Sequence, residues 1–145
     1  MKEINPQEAY DLLKREPETI YLDVRSIPEF EESHPVGAIN IPLLHFAPGM
    51  GMIPNDDFVQ VVQGNLSKDA KILVGCKTGG RSSRACELLA QSGYKNIANV
   101  RGGFLGVVDH FGRLLEPGWS MLDLPVCKSC KEEAHYESLS AKAGK

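Results

Sequence analysis

Lys71-Ile72-Leu73-Val74-Gly75-Cys76-Lys77-Thr78-Gly79-Gly80-Arg81-Ser82-Ser83-Arg84-Ala85-Cys86-Glu87-Leu88-Leu89-Ala90-Gln91 is the stretch that decides the fold of this 145-residue chain. The apolar run 71–74 reads as a short buried strand. The run from Ser83 to Gln91 reads as a helix with Ala85, Leu88 and Leu89 inward, closed by Gly93. Between them, Cys76 opens a turn with two consecutive glycines. A sulfur in that place meets the first backbone amides of the helix, which have no intrahelical partner and favour an anion. Lys77 and Arg81 add positive charge, so the residues point to a nucleophilic thiolate. An ordinary strand–helix turn with a buried thiol needs neither the glycine pair nor the cations. Cys86, on the helix itself, reads as a small core hydrophobe.

Working outward, helices and strands alternate. Asn5-Pro6-Gln7-Glu8 is an N-terminal helix signature, followed by Ala9, Leu12 and Leu13 on one face and a stop near Glu16-Pro17. Thr19 to Val24 reads as a strand, Ser26 caps a short helix carrying Phe30, and Ala38 to Ile41 is a brief second strand. The segment from Leu43 to Pro54 is loop-like. A helix is expected over about 56–63, presenting Phe58, Val61 and Val62, and Asn96 to Val100 is a further strand before the turn Arg101-Gly102-Gly103. Alternation of this kind builds a parallel sheet covered by helices, with its ligand site beyond the carboxyl ends of the strands. Cys76 falls there.

Size and composition narrow the class. The length suits one domain with one core. Apolar residues make up 42% and charged residues 24%, as in an ordinary soluble globule, and the net charge of −3 with no basic stripe argues against a nucleic-acid partner. No apolar stretch approaches the ~20 residues of a membrane span. The first residues are charged and lack an apolar signal core, so a cytoplasmic location is the expectation.

Four segments together resemble the single-domain rhodaneses, a sulfurtransferase family, most of all its small plant and bacterial members. They are Tyr21-Leu22-Asp23-Val24-Arg25 with Glu29-Phe30; His34 to Pro42; Cys76 to Ser82; and Asn99-Val100-Arg101-Gly102-Gly103. The resemblance covers about residues 5–126. It implies an α/β fold with a central parallel five-stranded sheet flanked by helices. It also implies covalent chemistry: the Cys76 thiolate takes sulfane sulfur from thiosulfate or a similar donor as a persulfide, then passes it to cyanide or to a thiol or protein acceptor. No bound cofactor is implied. The amides of Lys77, Thr78, Gly79, Gly80, Arg81 and Ser82 are expected to cradle the persulfide, with Lys77 and Arg81 orienting donor oxygens. Asp23 and Arg25 are expected as a supporting pair, and His34 as a structural histidine. Related phosphatases and arsenate reductases place their arginine one position further from the cysteine. Here the offset from Cys76 to Arg81 is five, the loop that fits a sulfur. A non-catalytic binding or redox module on the same fold is the alternative function.

The chain departs from the family after the Gly-Gly turn. Residues 109–123 read as an insertion within the 1–126 domain, either packing on the sheet or forming a pocket wall or partner surface with Phe111, Leu114, Leu115 and Trp119. The tail, 127–145, carries Cys127-Lys128-Ser129-Cys130. Three readings stand for it: no special role, a redox or sulfur relay to Cys76, or metal ligation with His135 as a third ligand. Tyr136 and Leu139 share a helical face, so the end could form a short docking helix.

Overall fold

A computed structural model describes residues 2–128 and 130–145. Its elements are β1 (Glu3–Ile4), α1 (Pro6–Arg15), β2 (Ile20–Asp23), α2 (Ile27–Glu32), β3 (His34–Pro35), β4 (Ile39–Asn40), β5 (Leu44–Ala47) and β6 (Gly51–Pro54). Then come α3 (Phe58–Asn65), β7 (Ile72–Gly75), α4 (Gly80–Gln91), β8 (Ile97–Val100), β9 (Val107–Val108), β10 (Leu114–Glu116), β11 (Val126–Cys127) and α5 (Tyr136–Lys142). The predicted starts have local causes. At α1 the Asn5 side chain accepts from the Glu8 amide at 2.8 Å and Glu8 returns a bond to the Asn5 amide at 2.9 Å, a closed capping box.

The central sheet has five strands in the order β1-β8-β7-β2-β4, every pair parallel. β7 and β2 lie inside it, and alternate residues face opposite cores, as a sheet covered on both sides requires. Leu22, Ile72 and Val74 join α3, α4 and α5 in one apolar cluster, with Phe58, Val61, Val62, Leu89 and Leu139. Tyr21, Leu73, Ala98 and Val100 face the other, with Ala9, Phe30 and Trp119. The Cβ alternation of a strand thus decides which helix each residue meets.

Four parts differ from the sequence expectation. The fifth strand is β1, two residues long, whose pairing with β8 no local pattern announces. The segment 43–54 is an antiparallel hairpin, with His45 opposite Ile53 and Phe46 opposite Met52. Helix α4 begins at Gly80, ahead of the expected Ser83, because Gly79 caps it at φ +122°. Residues 109–123 add a second hairpin, β9 with β10, and one 3-10 turn at Trp119–Met121. Of the placements expected for that segment, Trp119 takes the packed one, fully buried against Tyr10 and Tyr21, whereas Phe111 and Leu115 point to solvent and do not line the pocket beside the Cys76 loop.

The tail folds back on the body. β11 pairs antiparallel with β3, setting Cys127 opposite His34, and α5 inserts Leu139 into the first core. Asn65 Nδ2 bonds the Leu139 carbonyl at 2.9 Å and Asn55 Nδ2 bonds Tyr136 Oη at 3.2 Å. Among the described residues no helix is long and apolar enough to cross a membrane.

Candidate active site

Strand β7 runs into the loop at Gly75, where a side chain has no room: a Cβ there would stand 2.0 Å from Tyr21 Oη. Cys76 follows, 2% exposed. Its carbonyl is fixed by the Phe104 amide at 2.8 Å, and the Lys77 carbonyl by the Leu105 amide at 2.9 Å, so the turn after β8 clamps the loop from the side. Gly103 makes that clamp possible, since a Cβ on it would lie 2.5 Å from the Cys76 carbonyl oxygen.

The sulfur itself is met by the Gly79 amide, which donates to Cys76 Sγ at 3.1 Å from the cap of α4. This is a backbone dipole aimed at the sulfur at the positive end of a twelve-residue helix. Ser82, fully buried on the first turn, sets its Oγ 3.3 Å from Sγ, 3.1 Å from the Gly79 carbonyl and 2.5 Å from Asn99 Oδ1. Asn99 is held in turn by Glu3 at 3.1 Å. Cys76, Gly79 and Ser82 are therefore assembled around one sulfur; Lys77 and Thr78 face solvent at the loop's crest, and Gly80 begins the helix.

Arg81 goes elsewhere. Its two terminal nitrogens donate to the two oxygens of Glu29 at 2.7 and 3.0 Å, so the fork expected to orient donor oxygens is closed on a carboxylate from α2. Burial pushes the Glu29 carboxyl up, but bonds from Arg81 and Ser26 outweigh that and bring it down to about 2. Asp23 and Arg25 form the supporting pair at 2.8 Å, both buried. Arg25 also donates to the Ser33 carbonyl at 2.6 Å and lies over the Phe104 ring, 4.4 Å from its centroid. His34 stacks on Phe30 at 3.6 Å and donates from Nδ1 to the Phe30 carbonyl; burial holds its imidazole below the ordinary range, which suits a neutral packing role. On α4, Cys86 is 1% exposed, its thiol pushed up to about 12 by burial first and by Cys76 second.

Reading the sequence missed two participants. Asn99 sits in a motif already noticed, but its hold on Ser82 needs β8 beside β7. Glu29 was visible as a capping-box residue, and it does bond the Ser26 amide at 3.0 Å. Its grip on Arg81 spans 52 positions and leaves no local trace. In the tail, Cys127 and Cys130 are joined as a disulfide, and His135 turns its ring edge-on to Phe30 at 5.2 Å. Among the described residues no group of three or more His, Cys, Asp or Glu side chains is placed to hold a metal ion.

The chain is similar in sequence and in fold to known proteins. The family model described as "Rhodanese-like domain" matches residues 5–110. The chain is 44% identical over 89 residues to "Protein HIGH ARSENIC CONTENT 1, mitochondrial" of Arabidopsis thaliana, covering 61% of this chain and 52% of that protein. It is 42% identical over 92 residues to "Thiosulfate sulfurtransferase 18" of the same plant, covering 62% of this chain and 67% of the relative. Among solved structures, that of Rv0390 from M. tuberculosis superposes with a TM-score of 0.73 at 24% identity, over 88% of this chain and 98% of the other, a likeness of fold.

Proposed function

Because this chain belongs to the rhodanese-like domain family, we propose that it is a sulfurtransferase working through a persulfide on Cys76. The thiolate attacks the outer sulfur of thiosulfate or a similar sulfane donor. The donor's S–S bond breaks, sulfite or the corresponding thiolate leaves with its electron pair, and the sulfur stays on Cys76. Cyanide or a thiol, free or on a protein, then attacks that outer sulfur and regenerates the thiolate. The two half-reactions make a ping-pong cycle with no net oxidation.

The observation that carries this reading is the Gly79 amide set on Cys76 Sγ at 3.1 Å, beyond the carboxyl end of a parallel strand. A preorganised donor at that point stabilises negative charge on either the thiolate or the persulfide without reorganising. Phosphoryl or arsenate chemistry fits less well. It needs an arginine turned over the loop, and Arg81 is turned to Glu29.

The test is intact-mass spectrometry of the reduced protein after brief exposure to thiosulfate. The expected result is a gain of one sulfur, discharged by cyanide as thiocyanate and absent in Cys76→Ala. Absence of the adduct with thiosulfate, a persulfide and a polysulfide alike would leave a binding or redox module, with the Cys127–Cys130 pair as its chemistry.

A further inference from the structure

Beside the Cys76 loop lies a pocket of about 230 Å³, walled by Arg25, Glu29, Glu32, Lys77, Phe104 and Leu105. It belongs to the site, because Phe104 and Leu105 are the residues whose amides bond the carbonyls of Cys76 and Lys77. Lys77, on its wall, is the residue that follows Cys76, and Glu29, on the same wall, is the partner of Arg81.

The wall's charges cancel. The Arg25 guanidinium is occupied by Asp23 and the Ser33 carbonyl. The Arg81 fork is occupied on both nitrogens by Glu29, and Glu29 is itself fixed by the Ser26 amide and hydroxyl at 3.0 and 2.8 Å. That leaves Lys77 and Glu32, both exposed and neither in an ion pair among the described residues. One free cation and one free carboxylate therefore flank an apolar wall of Phe104 and Leu105, the latter 47% exposed. A small inorganic dianion gains little from a pocket of zero net charge. An organic body with an ammonium, a carboxylate and a short carbon chain finds a partner for each.

Resting on the sulfurtransferase reading above, we propose that Glu29 sets donor choice: by keeping Arg81 off the donor, it turns the site from thiosulfate toward a persulfide carried on a zwitterionic, amino-acid-type thiol. In that reaction the Cys76 thiolate bonds the terminal sulfur of R–S–SH. The donor S–S bond breaks, R–S⁻ departs with the electron pair, and the transferred sulfur keeps its proton. Glu29 acts as a positioning residue through Arg81; Lys77 and Glu32 meet the donor's charged ends.

The experiment measures the rate constant for loading sulfur onto Cys76 by quenched-flow mass spectrometry, with thiosulfate and with cysteine persulfide as donors. Wild type is expected to favour cysteine persulfide. Glu29→Gln keeps the Oε1 that accepts from Ser26 but sets an amide nitrogen in place of Oε2, opposing an Arg81 nitrogen, so it loosens the Arg81 fork and is expected to raise thiosulfate loading about tenfold, the scale of one charge-assisted hydrogen bond. Cysteine persulfide loading should not rise in parallel. Glu32→Gln, on the exposed rim, should slow cysteine persulfide and, because it leaves the pocket with one net positive charge, should not slow thiosulfate. Independently of any variant, wild-type loading from thiosulfate should not fall as salt rises, because a neutral pocket exerts no net pull on a dianion. A wild-type preference for thiosulfate, an equal response of both donors to Glu29→Gln, or a steep loss with salt would overturn the donor assignment while leaving the sulfurtransferase intact. Failure of both donors to load Cys76 would overturn the function and the inference together.

Discussion

Ser82 donates to Asn99 Oδ1 at 2.5 Å while its oxygen stands 3.3 Å from Cys76 Sγ. The hydroxyl has one proton, and three acceptors surround it: Asn99, the Gly79 carbonyl and the sulfur. When the sulfur carries negative charge, that proton has the strongest reason to turn toward it. Ser82→Ala is therefore expected to slow sulfur loading of Cys76 by about tenfold, one buried hydrogen bond to a charged group. Single-turnover kinetics checks this, with circular dichroism to show that the variant folds.

Gly103 is predicted to be intolerant for a backbone reason. Its φ is +56° and a Cβ would stand 2.5 Å from the Cys76 carbonyl and 2.8 Å from that of Lys77. No flexible side-chain end is available to yield; the catalytic loop itself must move. Gly103→Ala should cost about 1–3 kcal/mol of stability, read by urea unfolding, together with sulfur transfer out of proportion to that loss.

Those two sites mark the boundary of what the chain announces. The β7–loop–α4 unit is legible because its signals are local: a four-residue apolar strand, a glycine pair of which Gly79 takes a positive φ, and a helical apolar repeat. The role proposed for Cys76 draws on that unit alone. The β5–β6 hairpin is not legible, since Phe46, Met50 and Met52 stay exposed and no clean polar alternation marks a buried face. Strand β1 is too short to carry any period. Glu29 shows its local bond to Ser26 in the sequence, whereas its tertiary bond to Arg81 depends on α2 packing beside α4's first turn. Residues whose role is set across the sheet, as Asn99's is by Ser82, need the register before they can be read.

Trp119 tests whether the segment 109–123 is an appendage. The indole is fully buried between Tyr10 and Tyr21, and its Nε1 donates to the Pro125 carbonyl at 2.9 Å. Through that bond it also steadies the stretch leading into β11. Trp119→Ala should therefore destabilise the whole domain by about 3–5 kcal/mol in denaturant unfolding, as removal of a core aromatic does. Phe111→Ala, at a side chain 74% exposed, should fall within about 0.5 kcal/mol of wild type.

The Glu29–Arg81 pair makes part of the stability acid-sensitive. Glu29 sits at about 2 in the folded chain against an ordinary 4.5, so the folded state favours its ionised form. Its contribution is complete above about pH 4.5 and is lost as the pH falls toward 2. The difference in melting temperature between wild type and Glu29→Gln should be greatest at neutral pH and shrink through that window. A difference that stayed constant from about pH 6, above the window, to about pH 2.5, near its lower end, would mean that the carboxylate's charge is not what stabilises the pair.

Cys127 and Cys130 close a loop of sequence separation three, and the strand that carries Cys127 is fixed without them. β11 pairs with β3, the Val36 amide bonds the Pro125 carbonyl at 3.1 Å, and Trp119 reaches the same carbonyl. Constraining so short a loop removes little chain entropy, about 2 kcal/mol in that description. The pair therefore contributes little as a staple. Cys130 is exposed, which leaves the disulfide open to attack by an external thiol. A Cys127→Ser/Cys130→Ser variant should accordingly lose no more than about 4–8 degrees in melting temperature and remain folded. It should also load Cys76 from either donor at the wild-type rate, since the sulfur's immediate partners are Gly79 and Ser82. Loss of loading in that variant, with the fold intact, would instead place the tail thiols in the path of the sulfur atom.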